Sequence, residues 1–325
     1  SEMCIRDSSM AEHLDSVCEY PDRDYKELRD SLSHYLGIPA ANIIPGNGAT
    51  ELIGLTFQVL CPKNALLLAP TYSEYTREIS LAGGSYKEYF LKEENDFHLD
   101  LEDLKNHLTK DVDLFAFCNP NNPTSSALDT GEIREILEHC RRQGIFVMID
   151  ETYVEFAPDI QKISAVPLVP DYDNLMILRG TSKFFAVPGL RLGYGLCSNS
   201  RFLEELSRIK NPWTINTLAA VSGGVMFQDE SYIQRTRSLI SEERKRCLDI
   251  LSQCPQYKTY PAFANFLLVR LMDGTTSFEM FEKCIRKNLM IRDCSSFEGL
   301  QGEYIRFCIQ TKEANDRLLK ILTEQ

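Results

Sequence analysis

Four short apolar runs constrain this chain more than any other feature: Ala65 to Ala69, Leu114 to Cys118, Phe146 to Ile149 and Leu175 to Leu178, each followed at once by a polar cluster. Runs of this length, bounded by turn residues, are too short for helices and read as strands buried on both faces. Helical patterns alternate with them. Asp24 to Leu36 places Leu28, Leu32 and Tyr35/Leu36 on one face, with Gly37 as a stop. Gly46-Asn47-Gly48-Ala49-Thr50-Glu51 opens a segment that runs helical to Leu60, and Tyr72 to Ala82 is closed by Gly83-Gly84. Asp129 to Arg142 turns Ile133, Ile136, Leu137 and Cys140 inward, and Gly144 ends it. The alternation predicts an α/β fold with a mostly parallel sheet. Open sheets of that kind bind ligands beyond the carboxyl ends of their strands, which is where the polar clusters fall.

The C-terminal part is organised differently. A long helix over Glu230 to Cys254 is followed by a strand from Asn265 to Leu271 and a helix from Ser277 to Lys287. Strands near Met290 and Tyr304 and a final helix from Lys312 complete the pattern. This tail reads as a smaller α+β domain, and 325 residues suit two domains. Ser1 to Ser9 show neither apolar period nor turn logic and are set aside as extraneous to the fold.

Composition narrows the function classes. A formal charge of -12 argues against a nucleic-acid binder, which needs a basic footprint. The densest basic cluster, Arg244-Lys245-Arg246, follows Glu242-Glu243 and reads as a solvated helix face. The 11 cysteines include no CxxC and make no metal-ligand spacing with the five histidines, so buried reduced thiols and no metal are expected. No apolar run approaches the ~20 residues that span a bilayer. No signal pattern opens the chain, so a soluble cytoplasmic protein without a membrane partner is expected.

Five pieces follow one another in chain order: Gly48-Ala49-Thr50, Asn122-Pro123-Thr124, Asp150-Glu151-Thr152-Tyr153, Thr181-Ser182-Lys183, and Arg191 followed by Leu192-Gly193-Tyr194. Each alone is weak; the order, the strand-end placement and the eight-residue step from Lys183 to Arg191 make the set specific. From about Leu14 onward the chain resembles the fold-type I aminotransferases of class I/II. It is most similar to the branch holding threonine-phosphate decarboxylase and histidinol-phosphate aminotransferase. The resemblance implies an aminotransferase-like large domain over residues 44–225 and a small domain over 226–325, joined by the N-terminal segment 1–43.

The resemblance also implies pyridoxal 5'-phosphate as cofactor. Lys183 matches the lysine that attaches it and moves protons. Asp150 matches the carboxylate that keeps the ring nitrogen protonated through ion pairing. Tyr153 and Asn122 match the phenol and amide that share the ring oxygen O3′. Gly48, Ala49 and Thr50 at a helix start, with Ser182 and Arg191, match the phosphate cup. Tyr72 matches the aromatic stacked on the ring, although core packing is the ordinary fate of such a tyrosine. Taken singly, Lys183 could be a surface lysine, Asp150 a helix cap and Arg306 a solvent-facing strand arginine.

Toward the substrate, Arg306 matches the arginine that pairs a carboxylate, and Arg292, fourteen residues earlier, stands where the phosphate-substrate branch has a second arginine. Tyr20 resembles the tyrosine lent to a partner subunit's cofactor phosphate, which implies a homodimer. Two positions depart from the family pattern. Gly180 stands for the common serine, at a cost of about 1 kcal/mol to the phosphate cup, and Ser125 stands for the common glycine in a turn. The branch's N-terminal histidine-glycine segment has no counterpart between Ser1 and Tyr20. Asn211 to Asn216 and Ile291 to Leu300 tilt the expectation toward decarboxylation of a phosphorylated amino acid in cobamide side-chain synthesis. A transaminase acting on histidinol phosphate is the alternative, and an inactive or regulatory cofactor-binding protein a more distant one.

Overall fold

The computed structural model describes residues 5–324. Its strands are β1 (Ile43–Gly46), β2 (Asn64–Ala69), β3 (Ser85–Phe90), β4 (Leu114–Cys118), β5 (Phe146–Asp150), β6 (Leu175–Gly180), β7 (Gly193–Leu196), β8 (Tyr257–Thr259), β9 (Phe266–Leu271), β10 (Arg292–Asp293) and β11 (Tyr304–Cys308). Its α-helices are α1 (Ile5–Glu12), α2 (Lys26–Leu36), α3 (Gly48–Leu60), α4 (Glu74–Leu81), α5 (Leu101–His107), α6 (Thr130–Gln143), α7 (Ile160–Ile163), α8 (Ser200–Ile209), α9 (Thr217–Met226), α10 (Glu230–Leu251), α11 (Ser277–Ile285) and α12 (Lys312–Thr323). None of them is long and apolar enough to cross a membrane.

The strands form a seven-stranded sheet in the order β1-β7-β6-β5-β4-β2-β3 and a four-stranded sheet in the order β10-β11-β9-β8. In the first, β3, β2, β4, β5 and β6 run parallel, and β7 lies antiparallel between β6 and β1. The second is antiparallel throughout. The apolar runs now have their reason. Phe115 and Phe117 of β4 enter a core shared with Ile133, Ile136 and Leu137 of α6. Leu114 and Ala116 point the other way, into a core shared with Leu52 and Ile53 of α3. Both faces are covered by helices, so both sets of alternating residues are apolar.

Helix ends follow the local sequence. Asp129 caps α6 in a reciprocal capping box with Glu132, and Gly144 ends it in the left-handed region. The expected strands and helices are all present, with ends shifted by a few residues. Sequence patterning did not find β3, a half-exposed edge strand of Ser-Tyr-Lys-Glu-Tyr-Phe, nor the glycine-bearing β1 and β7.

Two expectations need correction. The sequence places Ser1 to Ser9 outside the fold, but Ile5–Glu12 is helical and lies against α9; Ser1 to Cys4 fall outside the described residues. Arg244 was assigned to a solvated face, yet it is 3% exposed. Lys245 is exposed and pairs with Asp249 one turn on, while Arg246 pairs with Glu243 and Asp316. A helix face twenty-two residues long cannot be read from three consecutive cations, because i and i+1 point about 100° apart.

Glu93, in the turn after β3, ties the two sheets together. Its carboxylate accepts hydrogen bonds from Lys258 at 3.0 Å, Tyr260 at 2.6 Å and Arg270, all in or beside β8 and β9. Burial opposes its ionisation, but these donors prevail and hold the carboxyl at about 2. Phe97 packs edge-on against Tyr260 and Tyr304 at the same seam.

Candidate active site

The carboxyl ends of β4, β5 and β6 open into a cleft of about 400 Å³. Ala49, Thr50, Tyr72, Asn122, Asp150, Tyr153, Ser182, Lys183, Arg191 and Arg306 line it. Residues from seven separate stretches of sequence thus meet in one volume, of the size small ligands occupy.

Asp150 is the last residue of β5 and is 5% exposed. One carboxylate oxygen accepts the Thr152 backbone N–H at 2.9 Å and its hydroxyl at 2.5 Å; the other accepts the Tyr75 hydroxyl at 2.8 Å. Burial pushes the carboxyl above the usual aspartate range, and those hydrogen bonds pull against it. A carboxylate held in this way favours a cation placed beside it. Tyr75 itself is fully buried, and burial together with Asp150 holds its phenol far above the usual range.

Neither Tyr75 nor Thr152 was picked out from the sequence. Tyr75 stands three residues after Tyr72, and the rings meet edge-on at 5.8 Å. That i, i+3 spacing at the start of α4 was the available signal. Thr152 offered none beyond its place two residues after the aspartate, the spacing of a side chain that bonds its own backbone.

Lys183 follows β6 and faces the cleft, its amine 6.0 Å from the centre of the Tyr153 ring. Arg191 lies at the start of α3. Gly48 has φ +75°, which strains any other residue, and a Cβ there would sit 2.5 Å from an Arg191 guanidinium nitrogen and push the cation aside. Gly193 serves likewise: a Cβ on it would lie 2.4 Å from the Ala49 nitrogen. This glycine lets β7 press against the helix start. The first turn of α3 has no side-chain cap, since Asn47 turns its amide to the Thr214 carbonyl at 2.8 Å. Uncapped amides beside a guanidinium suit a phosphate.

Arg306 enters from the four-stranded sheet. Its guanidinium donates to the Asn122 side-chain oxygen and lies 5.0 Å from the centre of the Phe266 ring. Its Nε is buried with no hydrogen-bond partner among the described residues. Arg292 lies directly opposite Arg306 in the β10–β11 ladder, so both side chains occupy one face. Arg292 does not line the cleft; it is exposed, donates to the Ser296 hydroxyl at 2.8 Å, and lies 5.7 Å from the Phe297 ring centre. Tyr20 also stands outside the cleft of its own chain, exposed and tilted against Trp213 at 5.2 Å.

Pyridoxal phosphate fits these donors: an anion cup at α3, a buried carboxylate for a ring cation, and an amine between them. Gly180 leaves that cup without the hydroxyl expected there, and a Cβ added to it would meet Ala49 at 3.8 Å, an ordinary contact. Ser125 is fully buried at φ +62°, and its role in the turn is now visible: its hydroxyl accepts the backbone N–H groups of Phe263 and Ala264.

Comparison with known proteins agrees with the geometry. The threonine-phosphate decarboxylase of Salmonella typhimurium is 32% identical over 314 residues, covering 97% of this chain and 85% of that protein. The histidinol-phosphate aminotransferase of Methanococcus maripaludis is likewise 32% identical over 314 residues, covering 96% and 83%. The structure of the histidinol-phosphate aminotransferase from Clostridium acetobutylicum superposes with a TM-score of 0.91 at 30% identity, covering 98% of this chain and 95% of that one. The model for aminotransferases of class I and II matches residues 5–322. With this match and the cleft described above, the chain belongs to the aminotransferase class I and II family of pyridoxal-phosphate enzymes.

Proposed function

We propose that the protein decarboxylates a phosphorylated amino acid in the manner of threonine-phosphate decarboxylase, and so serves cobamide side-chain synthesis in the cytoplasm. The observation that carries this reading is the pair of cations in register across β10 and β11, Arg306 beside the cleft and Arg292 beyond it. One substrate with a carboxylate and a phosphate would engage both.

Each side chain then has a task. Arg191, Ser182 and the amides of Ala49 and Thr50 hold the cofactor phosphate, and Asp150 keeps the ring nitrogen protonated. Tyr72 covers the ring face; Tyr153 and Asn122 hold its oxygen. Lys183 attaches the cofactor and carries a proton to or from the substrate α-carbon. When bound, pyridoxal phosphate accepts the electron pair of the bond broken at that carbon. Arg306 and Arg292 hold the two anionic ends of the substrate and thereby decide which bond is presented.

Residues 44–225 form the large cofactor-binding domain in this reading and 226–325 the small one, with segment 1–43 counted with the latter. The active unit is a homodimer, because Tyr20 is exposed and stands away from its own cleft, free to complete the partner's phosphate cup. Sedimentation of the fully active holoenzyme as a monomer would refute it.

The deciding experiment is product analysis with phosphothreonine, and with histidinol phosphate plus 2-oxoglutarate. Carbon dioxide from the first is expected. Arg292→Ala should raise KM at least about tenfold for the phosphorylated substrate, the effect of one lost charge-assisted contact, and leave its unphosphorylated analogue nearly unchanged. Oxo-acid-dependent amino transfer without carbon dioxide release would instead favour a histidinol-phosphate transaminase. That second reading is supported by the likeness to the Clostridium acetobutylicum protein.

A further inference from the structure

The peptide Phe263–Ala264, just before β9, is held on both sides by costly groups. Ser125 grips it from the loop after β4. Its hydroxyl accepts the N–H of Phe263 at 3.1 Å and of Ala264 at 2.9 Å, and its carbonyl accepts the Phe263 N–H at 2.9 Å. To do so the serine sits at φ +62°, a conformation that favours glycine.

Arg244 grips the same peptide from α10. One guanidinium nitrogen donates to the carbonyls of Ala264 at 2.9 Å, Phe263 at 3.4 Å and Phe156 at 2.8 Å. Burial pushes this arginine down to about 10, with no carboxylate opposing the shift. A buried guanidinium facing only carbonyls, against a left-handed serine, is an expensive way to fasten a linker. Glycine and an aliphatic side chain would spare those costs but leave the N–H and carbonyl groups of this buried peptide unheld.

What the clamp secures lies two residues further on. Phe266 is fully buried; its ring meets Tyr153 edge-on at 5.0 Å and lies 5.0 Å from the Arg306 guanidinium carbon. The loop that carries Ser125 also carries Asn122, the acceptor for Arg306. One loop therefore fixes Arg306 directly through Asn122, and indirectly through Ser125, the clamped peptide and Phe266.

We infer that Ser125 and Arg244 are positioning residues that set the substrate arginine, Arg306, by clamping the Phe263–Ala264 peptide from opposite sides. The inference rests on the reading of Arg306 as the carboxylate-binding residue. It adds two residues that touch neither substrate nor cofactor yet govern discrimination for the carboxylate.

The test compares two probes on the holoenzyme by spectroscopic titration: phosphothreonine, and the amino-alcohol phosphate that lacks its carboxylate. Ser125→Gly removes the hydroxyl and relieves the backbone, so it should fold at least as well as the parent. It should lower the affinity ratio between the probes about fivefold, a partial loss of one charge-assisted contact, with affinity for the carboxylate-free probe and the cofactor absorption spectrum unchanged. Arg244→Lys, which keeps the charge but loses the fork of donors, should reduce the same ratio by a smaller factor. Amide exchange at Ala264 should quicken in both variants.

An unchanged ratio in Ser125→Gly, or an equal loss for both probes, overturns the positioning role and leaves the substrate reading standing. Arg306→Gln is the control: if it too leaves the ratio unchanged, both fall. Because the titration reads binding, a holoenzyme that transaminates instead of releasing carbon dioxide would refute the proposed reaction and leave this test intact.

Discussion

The two ends of the cleft are built on different principles. At the ring end, Asp150, Tyr75 and Thr152 are anchored at the end of β5 and the start of α4, and both carboxylate oxygens already have donors. At the end proposed for the substrate, Arg306 has a buried Nε with no hydrogen-bond partner among the described residues, and beyond the cleft Arg292 is held by Ser296 and the face of Phe297. The first end is organised by the chain's own donors; in the proposed reading the second is completed by the substrate. Preorganised charges act without rearrangement at the moment of reaction, whereas groups finished by the ligand confer selectivity. Variants at the ring end should therefore change turnover, and variants at the substrate end should change KM.

The largest expected effect is at the junction of the two. Lys183→Ala should abolish turnover and the borohydride-fixed cofactor together; fixation at another lysine would break the assignment. Asp150→Asn comes next. It keeps the shape and one acceptor but removes the charge, and turnover should fall by about 10²-fold or more while the cofactor still binds. A KM effect with normal turnover would erase the contrast between the ends.

Asp150 also has a pH signature. Burial raises its folded-state pKa above the unfolded value, so the stability it contributes is present at low pH and lost as pH rises through the raised value. A ring cation beside it offsets that loss. The gap in Tm between holo and apo protein should widen from about pH 4 upward, and the widening should vanish in Asp150→Asn. Calorimetry of both forms across that range decides it.

Tyr75→Phe should have a smaller effect of the same kind. It deletes one of three donors to a buried carboxylate, a loss of about 1–3 kcal/mol, and should appear in turnover rather than KM. Gly180→Ser is the smallest. The site admits a Cβ without a clash, and an added hydroxyl should tighten cofactor binding by about 1 kcal/mol, near fivefold in Kd. Weaker binding would mean the cup has no place for it.

Each end was legible only in part: Arg306 and Arg292 were matched from the family pattern, and at the ring end Asp150 was found while Tyr75 and Thr152 were missed. Asp150 and Lys183 follow apolar runs whose length and composition identify buried strands, so their placement at strand ends came from local pattern. Arg244 could not be read that way. Its burial depends on α10 lying against Phe156 and the 263–264 peptide, contacts between residues 88 and 20 positions apart. The same holds for Tyr75, whose partner is 75 residues away. Ser125 was visible as a departure from the family's glycine, but its work depends on a peptide 138 residues further on. Local periodicity carries no information about such pairings, whereas strand burial and helix caps are written within a few residues.

The β10–β11 ladder has a consequence for how this scaffold can change its preferences. Only two residue pairs define it, Arg292 with Arg306 and Asp293 with Ile305. Its register is held by the Cys294 N–H, which donates to the Tyr304 carbonyl at 3.0 Å, and by Ile291 and Cys294, buried on either side of the two pairs. Sliding by a single residue would turn Arg292 to the opposite face and put Asp293 in its place. The segment from Cys294 to Glu303 sets that alignment. A one-residue slip would therefore exchange a cation for an anion at the position proposed to contact the substrate phosphate, with no arginine mutated.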